Sequence, residues 1–127
     1  MRFIRNLKDA EIFEAPEPWR RILTILIDKN SMGAENMVVG LGRFECGQKC
    51  APHKHDDSEE AYYILEGKGI IKINEEEYEV SKEDAIFIPK GFTHQIMNNN
   101  DKDLVFLWIM SPPGNVAETI RSFKRIK

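Results

Sequence analysis

The sequence is poor in the residue types that would place it in several large classes of protein. Two cysteines in 127 residues are too few for the disulfide framework of a small secreted domain. The formal net charge of -3 provides no basic excess for binding nucleic acid. Apolar runs such as residues 104–110 are far too short to span a bilayer. What is left is ordinary globular composition, 42% hydrophobic and 31% charged.

An export signal is also missing from the start of the sequence. Residues 1–5 lead into a polar stretch and not into the apolar segment of a signal peptide. Cys46 and Cys50 are therefore expected to be reduced, and the chain to be cytoplasmic. Short basic clusters at residues 19–21 and 121–127 are interpreted as solvated surface or oligomer contacts.

Short β-branched and apolar segments, separated by Gly, Pro and Asn turns, predict an all-β sandwich or barrel. The predicted strands are residues 20–27, 36–45, 61–65, 70–73, 78–80, 85–88, 93–97 and 104–110. A chain of this length predicts a single domain over residues 1–127. We divide it into an N-terminal arm (1–19), a barrel (about 20–111) and a tail (112–127), in which Asn115 can cap a short helix over 116–123.

Histidine is scarce as well, and the three that occur have an informative spacing. His53 and His55 are one residue apart, so on an extended segment both imidazoles lie on one face. Glu60 begins the next strand and His94 begins a later one, which a barrel can bring beside the first pair. Three imidazoles and a carboxylate suit Mn, Fe, Ni, Cu or Zn and leave positions open for water or substrate.

With this spacing, the chain resembles the cupin superfamily. The first cupin motif, G(X)5HXH(X)3,4E(X)6G, and the second, G(X)5PXG(X)2H(X)3N, match at nine positions over residues 47–98. The matching residues are Gly47, His53, His55, Glu60, Gly67, Pro89, Gly91, His94 and Asn98. The first glycine of the second motif is Glu83 here, a change that affects a turn and no proposed ligand. A second difference is Cys46, where many cupins have a proline.

The resemblance implies a small cupin, an antiparallel β-barrel or jelly roll of six or more strands. It carries the metal ligands of the family over to His53, His55, Glu60 and His94. It also implies a homodimer, often formed through a sheet with exchange of N-terminal strands. Because residues 104–110 are apolar at both parities, the sequence likewise favours a sheet whose outer face is covered by a partner.

One alternative uses different ligands. Cys46 and Cys50, followed by His53 and His55, have the look of a structural zinc site. That site would leave Glu60 and His94 without a role. A second alternative is a barrel that has all four residues but binds no metal in the cell. The blander expectation for the cysteines is that they are small apolar residues beside the mouth of the site.

Several neighbouring residues receive weaker assignments. Residues 56–59 are expected to form a solvated acidic loop, and Lys54 is expected to point away from the metal. Arg43 pairs with an acidic substrate if it faces inward, which the sequence leaves open. Catalytic residues are unknown, with Glu60, Tyr62 and Tyr63 as acid/base candidates.

Hydrophobic residues of the predicted strands are expected to form the core, with some lining a cavity inside the barrel. They are Tyr62, Ile64, Ile86, Ile88, Ile96, Met97, Phe106 and Trp108. The expected function is that of a metalloenzyme acting on a small oxygenated metabolite, of the dioxygenase, decarboxylase, isomerase or lyase type. The alternative is a non-catalytic module that binds a metal and a small ligand, with no nucleic acid or membrane partner in either case.

Overall fold

The computed structural model describes residues 2–127 and has the antiparallel all-β architecture that the turn spacing predicted. Residue 1 of the predicted arm lies outside the described residues. The strands are β1 (Glu11–Ala15), β2 (Arg21–Ile27), β3 (Val38–Phe44), β4 (Glu59–Glu66), β5 (Lys68–Ile73), β6 (Glu76–Ser81), β7 (Ala85–Ile88), β8 (His94–Met97), β9 (Leu104–Ser111) and β10 (Lys124–Arg125). The helices are a 3-10 turn (Leu7–Asp9), α1 (Lys29–Met32) and α2 (Val116–Arg121).

The strands form two sheets of unequal size. The larger sheet has seven strands in the order β10-β1-β2-β3-β9-β4-β7, and the smaller has β6-β5-β8. One hydrophobic core contains side chains from both, including Phe44, Ile64 and Leu104 of the large sheet and Ile71 and Ile96 of the small one. The sheets therefore face each other across a shared core, as in a jelly roll.

All eight predicted strands are present within one or two residues of their predicted bounds, but both ends of the chain are more ordered than expected. Phe13 and Ala15 of β1 are buried, so this part of the predicted arm is a sheet strand. The tail contributes β10, whose Arg125 pairs with Phe13 of β1. β10 has two residues and a partner far away in sequence, so it leaves no local sequence pattern. β1 also pairs with its neighbour β2, and it was missed because residues 1–19 have little clean periodicity.

The tail also forms the expected short helix, α2, which packs Ala117 and Ile120 into the core. Asn115 occupies the N-cap position, although its side chain makes no capping hydrogen bond. Arg121 at the end of α2 donates hydrogen bonds to Asp28 at 2.5 and 3.2 Å and to Glu11 at 3.2 Å. This part of the basic cluster is thus a structural ion pair and not free surface.

Burial by itself would raise the pKa of Asp28, but hydrogen bonds from Arg121 and Ser31 outweigh it and lower the pKa. A carboxylate with a lowered pKa in the folded state stabilises the fold above its ordinary pKa, and the stabilisation is lost as the pH falls through the folded value. Arg121 thereby fastens α2 to the first half of the chain at neutral pH.

Among residues 2–127, none of the helices has the length and apolar character of a membrane span.

Three glycines of the two motifs occupy left-handed turns. Gly47, Gly67 and Gly91 have φ angles of 82°, 80° and 78°. A Cβ atom at Gly67 would also lie 2.3 Å from the carbonyl oxygen of Asp103. Position 67 therefore requires glycine for two reasons: other residues are strained at a positive φ, and there is no space for a side chain.

Glu83, which replaces the first glycine of the second motif, adopts the glycine conformation all the same. Its φ is 76°, and its amide donates to the carbonyl of Ile64 at 2.8 Å. A residue with a Cβ atom in this region is strained by about 1–2 kcal/mol. The turn therefore keeps its shape at a cost in stability.

Replacing this residue, Glu83→Gly, is expected to stabilise the protein by about 1 kcal/mol, because glycine adopts the turn without strain. Urea unfolding followed by circular dichroism measures the change. Lys82→Gly is the matched control, since Lys82 neighbours Glu83 and does not have a positive φ. Glycine there is expected to lower the free energy of unfolding. An equal effect of the two substitutions would show that Glu83 is not strained.

Candidate metal centre

Two backbone hydrogen bonds join the loop that carries His53 to strand β8. The amide of His53 donates to the carbonyl of His94 at 3.1 Å, and the amide of His94 donates to that of His53 at 2.8 Å. Residues that exchange hydrogen bonds in an antiparallel pair lie directly opposite each other. Their two imidazoles therefore lie side by side, with ring centroids 4.2 Å apart.

His55 and Glu60 are brought to the same place by different elements. The carbonyl of His55 accepts a hydrogen bond from the amide of Gly91 at 2.9 Å, which ties it to the turn before β8. Glu60 lies in β4, where its side chain faces inward with those of Tyr62 and Ile64, as their common parity predicted. Only 7% of Glu60 is exposed, which is rare for a glutamate without a partner.

The structure brings all four sequence-predicted ligands together. One donor atom each from His53, His55, Glu60 and His94 lie within 4.8 Å of one another. The Nε2 atom of His94 is 3.0 Å from Oε1 of Glu60, and that of His55 is 3.4 Å from the same oxygen. The cluster thus has the composition and the compactness to hold a metal ion.

Backbone carbonyls orient two of the imidazoles from behind. Nδ1 of His53 lies 2.8 Å from the carbonyl oxygen of Ala51, and Nδ1 of His94 lies 3.0 Å from that of Phe92. A carbonyl only accepts hydrogen bonds, so each neutral ring carries its proton on Nδ1 and has a lone pair on Nε2. Such bonds fix the ring and its tautomer in metal-binding histidines.

The contact between His94 and Glu60 indicates whether the site suits a metal ion. With its proton on Nδ1, a neutral His94 directs a lone pair from Nε2 toward the carboxylate of Glu60 at 3.0 Å. Two electron-rich atoms in this position need a cation or a further proton between them. Ligand atoms bound at right angles to one metal ion at about 2.1 Å are themselves about 3 Å apart. The residues present therefore fit a first-row metal ion.

The surroundings of Glu60 and His53 favour the forms of these two side chains that bind metal. Burial by itself would raise the pKa of Glu60, but when a proton lies between its carboxylate and the imidazoles of His55 and His94, their hydrogen bonds and charge outweigh burial and lower the pKa to about 2. Burial, with the nearby His94 as a smaller cause, lowers the pKa of His53. A carboxylate that stays charged and an imidazole that stays neutral are the forms that bind metal.

The cluster opens into a cavity of about 400 Å³. The lining is largely apolar and includes four of the predicted core residues, Tyr62, Ile96, Phe106 and Trp108. Gly40 and Gly42 of β3 leave space for the rings of Trp108 and Phe106, because a Cβ atom at either glycine would lie within 2.6 Å of the opposite ring. A cavity of this size accommodates a small metabolite next to the metal position.

Neither cysteine is part of the cluster among the described residues. Cys46 is exposed. Cys50 is buried against the cavity, where its sulfur accepts a hydrogen bond from the amide of Ile96 at 3.4 Å. The alternative zinc site built from both cysteines, His53 and His55 is therefore not formed, and Cys50 packs as the small apolar residue that was expected.

The remaining candidates divide between the inside and the outside of the barrel. Tyr62 lies in the cavity, whereas Tyr63 is on the outer face of the sheet with 41% of its surface exposed. Arg43 also faces outward, where it pairs with Asp103 at 2.8 Å, so it does not reach a substrate in the cavity. Lys54 points away from the cluster to Asp56, as expected.

One residue of the expected acidic loop differs from its prediction. Ser58 is buried, and its hydroxyl donates to the carbonyl of Pro112 at 2.6 Å. Asp56, Asp57 and Glu59 are exposed, as predicted. The loop is thus fastened at one point and solvated elsewhere.

Sequence reasoning missed part of the cavity wall. Arg21, which was assigned to a surface cluster, lines the cavity. Other lining residues that were missed are Ala15, Pro16, Glu17 and Trp19 of the arm, and Val116, Thr119 and Ile120 of α2. Phe123 beyond α2 completes this side. Alternation along β2 could have placed Arg21 on the face of Leu23 and Ile25, but only once the strand's inner face was known.

Known proteins resemble this chain in both sequence and structure. The family model described as a cupin domain matches residues 40–110, more than half of the chain. The uncharacterized protein MJ1618 of Methanocaldococcus jannaschii is 42% identical over 73 residues, which are 58% of this chain and 58% of that protein. The chain thus matches less than two thirds of the length of this relative.

Two further proteins have names that refer to a ligand or a reaction. An oxalate-binding protein of Thermotoga maritima is 29% identical over 85 residues, 67% of this chain and 70% of that protein. The structure of the polyketide cyclase RemF from Streptomyces resistomycificus superposes with a TM-score of 0.77 and 25% identity, covering 87% of this chain and 80% of that one.

Replacing either His55 or His94 by alanine is expected to remove the metal from the protein and leave the barrel folded, because each substitution deletes one of four donor atoms. Elemental analysis of protein purified without chelator or histidine tag measures the content, expected to fall from roughly one ion per chain to almost none. Lys54→Ala is the matched control, since Lys54 lies between two proposed ligands and points outward. Unchanged metal content in both histidine variants would refute the ligand assignment.

Proposed function

The chain belongs to the cupin family, and on this premise we propose that it is a metal-dependent enzyme acting on a small oxygenated metabolite. The observation that carries the proposal is the position of the His/Glu cluster, which forms one wall of a largely apolar cavity of about 400 Å³. A structural metal site is closed by protein ligands, whereas this one faces a space that a substrate can enter.

His53, His55, Glu60 and His94 would hold the ion, with Mn, Fe, Ni, Cu and Zn all compatible with these ligands. When bound, such an ion polarises a substrate oxygen or activates water or O2. The imidazoles of His53 and His94 are held from behind by backbone carbonyls, so the donor atoms are oriented before any ligand arrives.

The chain's own residues supply the environment for the reaction. The aromatic and aliphatic wall excludes water from the bound substrate, which strengthens electrostatic interactions inside the cavity. Tyr62 lies beside the cluster, with its ring centroid 6.2 Å from that of His94. Burial, with the charge of Glu60 as a smaller cause, raises the pKa of Tyr62 well above its usual value. The hydroxyl therefore keeps its proton and can donate a hydrogen bond to a substrate oxygen.

A non-catalytic binding module is the second candidate, and the shortage of a general base in the cavity favours it. Burial raises the pKa of both Cys50 and Tyr62, so both are protonated at neutral pH. Glu17 is exposed at the rim. The related proteins fit either candidate, because one is named for binding oxalate and the other is a cyclase.

Incubating the metal-loaded protein with small chelating acids under air, followed by proton NMR and an oxygen electrode, distinguishes the two candidates. An enzyme is expected to convert at least one acid, and to lose the activity on metal removal and regain it when the metal is restored. The His94→Ala variant is the control for activity from contaminants. Tight, metal-dependent binding of an acid without any turnover would instead establish the binding module.

We further propose that the chain forms a homodimer through the outer face of the large sheet. Phe87, Tyr63 and Ile109 lie on three adjacent strands of this face and are 57%, 41% and 36% exposed. In the arm, Phe3 and Ile4 are more than 80% exposed. Large apolar side chains grouped in this way indicate an interaction surface, and the family resemblance indicates a second copy of the chain.

Sedimentation analysis is expected to give twice the 14.7 kDa mass of the chain, and Ile109→Asp is expected to give the single mass. A charge in the centre of an apolar interface is costly because it stays unpaired after burial. Tyr78→Asp is the matched control, since Tyr78 is 47% exposed on the small sheet. A monomeric parent protein, or a dimer that Tyr78→Asp disrupts equally, would contradict this interface.

The cytoplasmic location stays a prediction. Within residues 2–127, Cys46 and Cys50 are both free thiols, which supports a reducing compartment. The exposed position of Cys46 adds to this, because an exposed thiol is readily oxidised outside the cytoplasm.

A further inference from the structure

Arg21 is the arginine that lines the cavity of the proposed metal centre. It is the first residue of β2, and its side chain lies on the same face as those of Leu23 and Ile25, which are buried in the core. Arg20 next to it lies on the other face and pairs with Glu14 and Glu45, both at 2.8 Å. Two adjacent arginines thus have opposite surroundings because side chains alternate along a strand.

Most N–H donors of the Arg21 guanidinium form no hydrogen bond with other residues among 2–127. One nitrogen, Nη1, donates to the carbonyl of Trp19 at 2.8 Å. A guanidinium has five N–H donors. Within residues 2–127, Arg21 forms no ion pair with a carboxylate, whereas Arg43 and Arg121 each pair with an aspartate. Donors therefore remain available to a ligand in the cavity.

Arg21 is also placed to act on such a ligand. Its guanidinium carbon lies 6.0 Å from the centroid of the Phe123 ring, which lines the same side of the cavity. Burial lowers the pKa of Arg21. The positive charge of Arg21 reaches Tyr62 and Cys50, where it offsets a small part of the rise in pKa that burial causes. A partly desolvated cation attracts an anion more strongly than one in bulk water.

We infer that Arg21 binds a carboxylate of the substrate, the other end of which binds at the metal. This inference rests on the proposed metal centre. The planar fork of a guanidinium matches the two oxygens of a carboxylate. A singly charged group suits the cavity better than a phosphate dianion, because Arg21 is the only lysine or arginine in the described lining and Glu17 lies at the rim.

The substrate class that follows is a dicarboxylic acid with a chelating oxygen at one end, such as a 2-oxo or 2-hydroxy diacid. The apolar residues of the cavity lining, including Phe106 and Trp108, would contact its carbon chain. Arg21 is thereby the residue that selects a diacid over a monoacid of the same length.

Calorimetry with the Mn²⁺-loaded protein tests the assignment with two matched pairs of acids, 2-oxoglutarate against 2-oxopentanoate and 2-oxoadipate against 2-oxohexanoate. Within each pair, the oxo-acid end is the same and only the distal carboxylate differs. We expect at least one diacid to bind about 10-fold or more tightly than its monoacid, the size of a hydrogen bond to a charged group. In Arg21→Gln, this ratio is expected to fall below about 2-fold while the affinity for the monoacid is kept.

Arg20→Gln is the matched control, because it removes the same charge from the outer face and is expected to keep the diacid preference. Metal content is measured in every sample. Equal affinities within each pair in the metal-loaded parent protein, or a diacid preference that survives Arg21→Gln, would overturn the role of Arg21 and leave the metal centre standing. Failure of the parent protein to hold Mn²⁺ or any other first-row metal would overturn both.

Discussion

The candidate site depends first on the two backbone hydrogen bonds between His53 and His94. They join a loop without regular structure to β8. His94 is thereby placed next to His53, although the two residues are 41 positions apart in sequence. Loops have few backbone partners of their own and are usually mobile. Here three backbone hydrogen bonds tie the loop to β8 and to the turn before it: the two between His53 and His94, and one from the amide of Gly91 to the carbonyl of His55.

The same site places electrically demanding groups in a buried position. Glu60 and His94 are almost fully buried, and their facing atoms lack the protons that would satisfy both. Such a group is costly to bury unless a partner offsets the desolvation. The fold meets that cost with rigid surroundings: carbonyls of Ala51 and Phe92 hold two rings, and a hydrophobic core supports the sheets behind them. A protein that keeps this arrangement pays in stability for a prepared site.

The cavity, in contrast, is completed by parts of the chain that lie outside the two cupin motifs. The arm supplies Trp19, β2 supplies Arg21, and the tail supplies Ile120 and Phe123. The ion pair of Arg121 with Asp28 holds α2 in this wall. The motifs thus position the His/Glu cluster, whereas the ends of the chain complete the wall of the space beside it. This division agrees with the general rule that one fold can host different functions.

The sequence alone determined the strand pattern and the four proposed ligands. The strands follow from local periodicity, because turn residues bound short apolar segments. The ligands were carried over through the resemblance to the two cupin motifs, and alternation along an extended segment places His53 and His55 on one face. Only the tertiary structure decided that Arg43 faces out and Arg21 faces in. The reason is that a shift of one residue in register moves every side chain of a strand to its other face, and that register is set by partner strands far away in sequence.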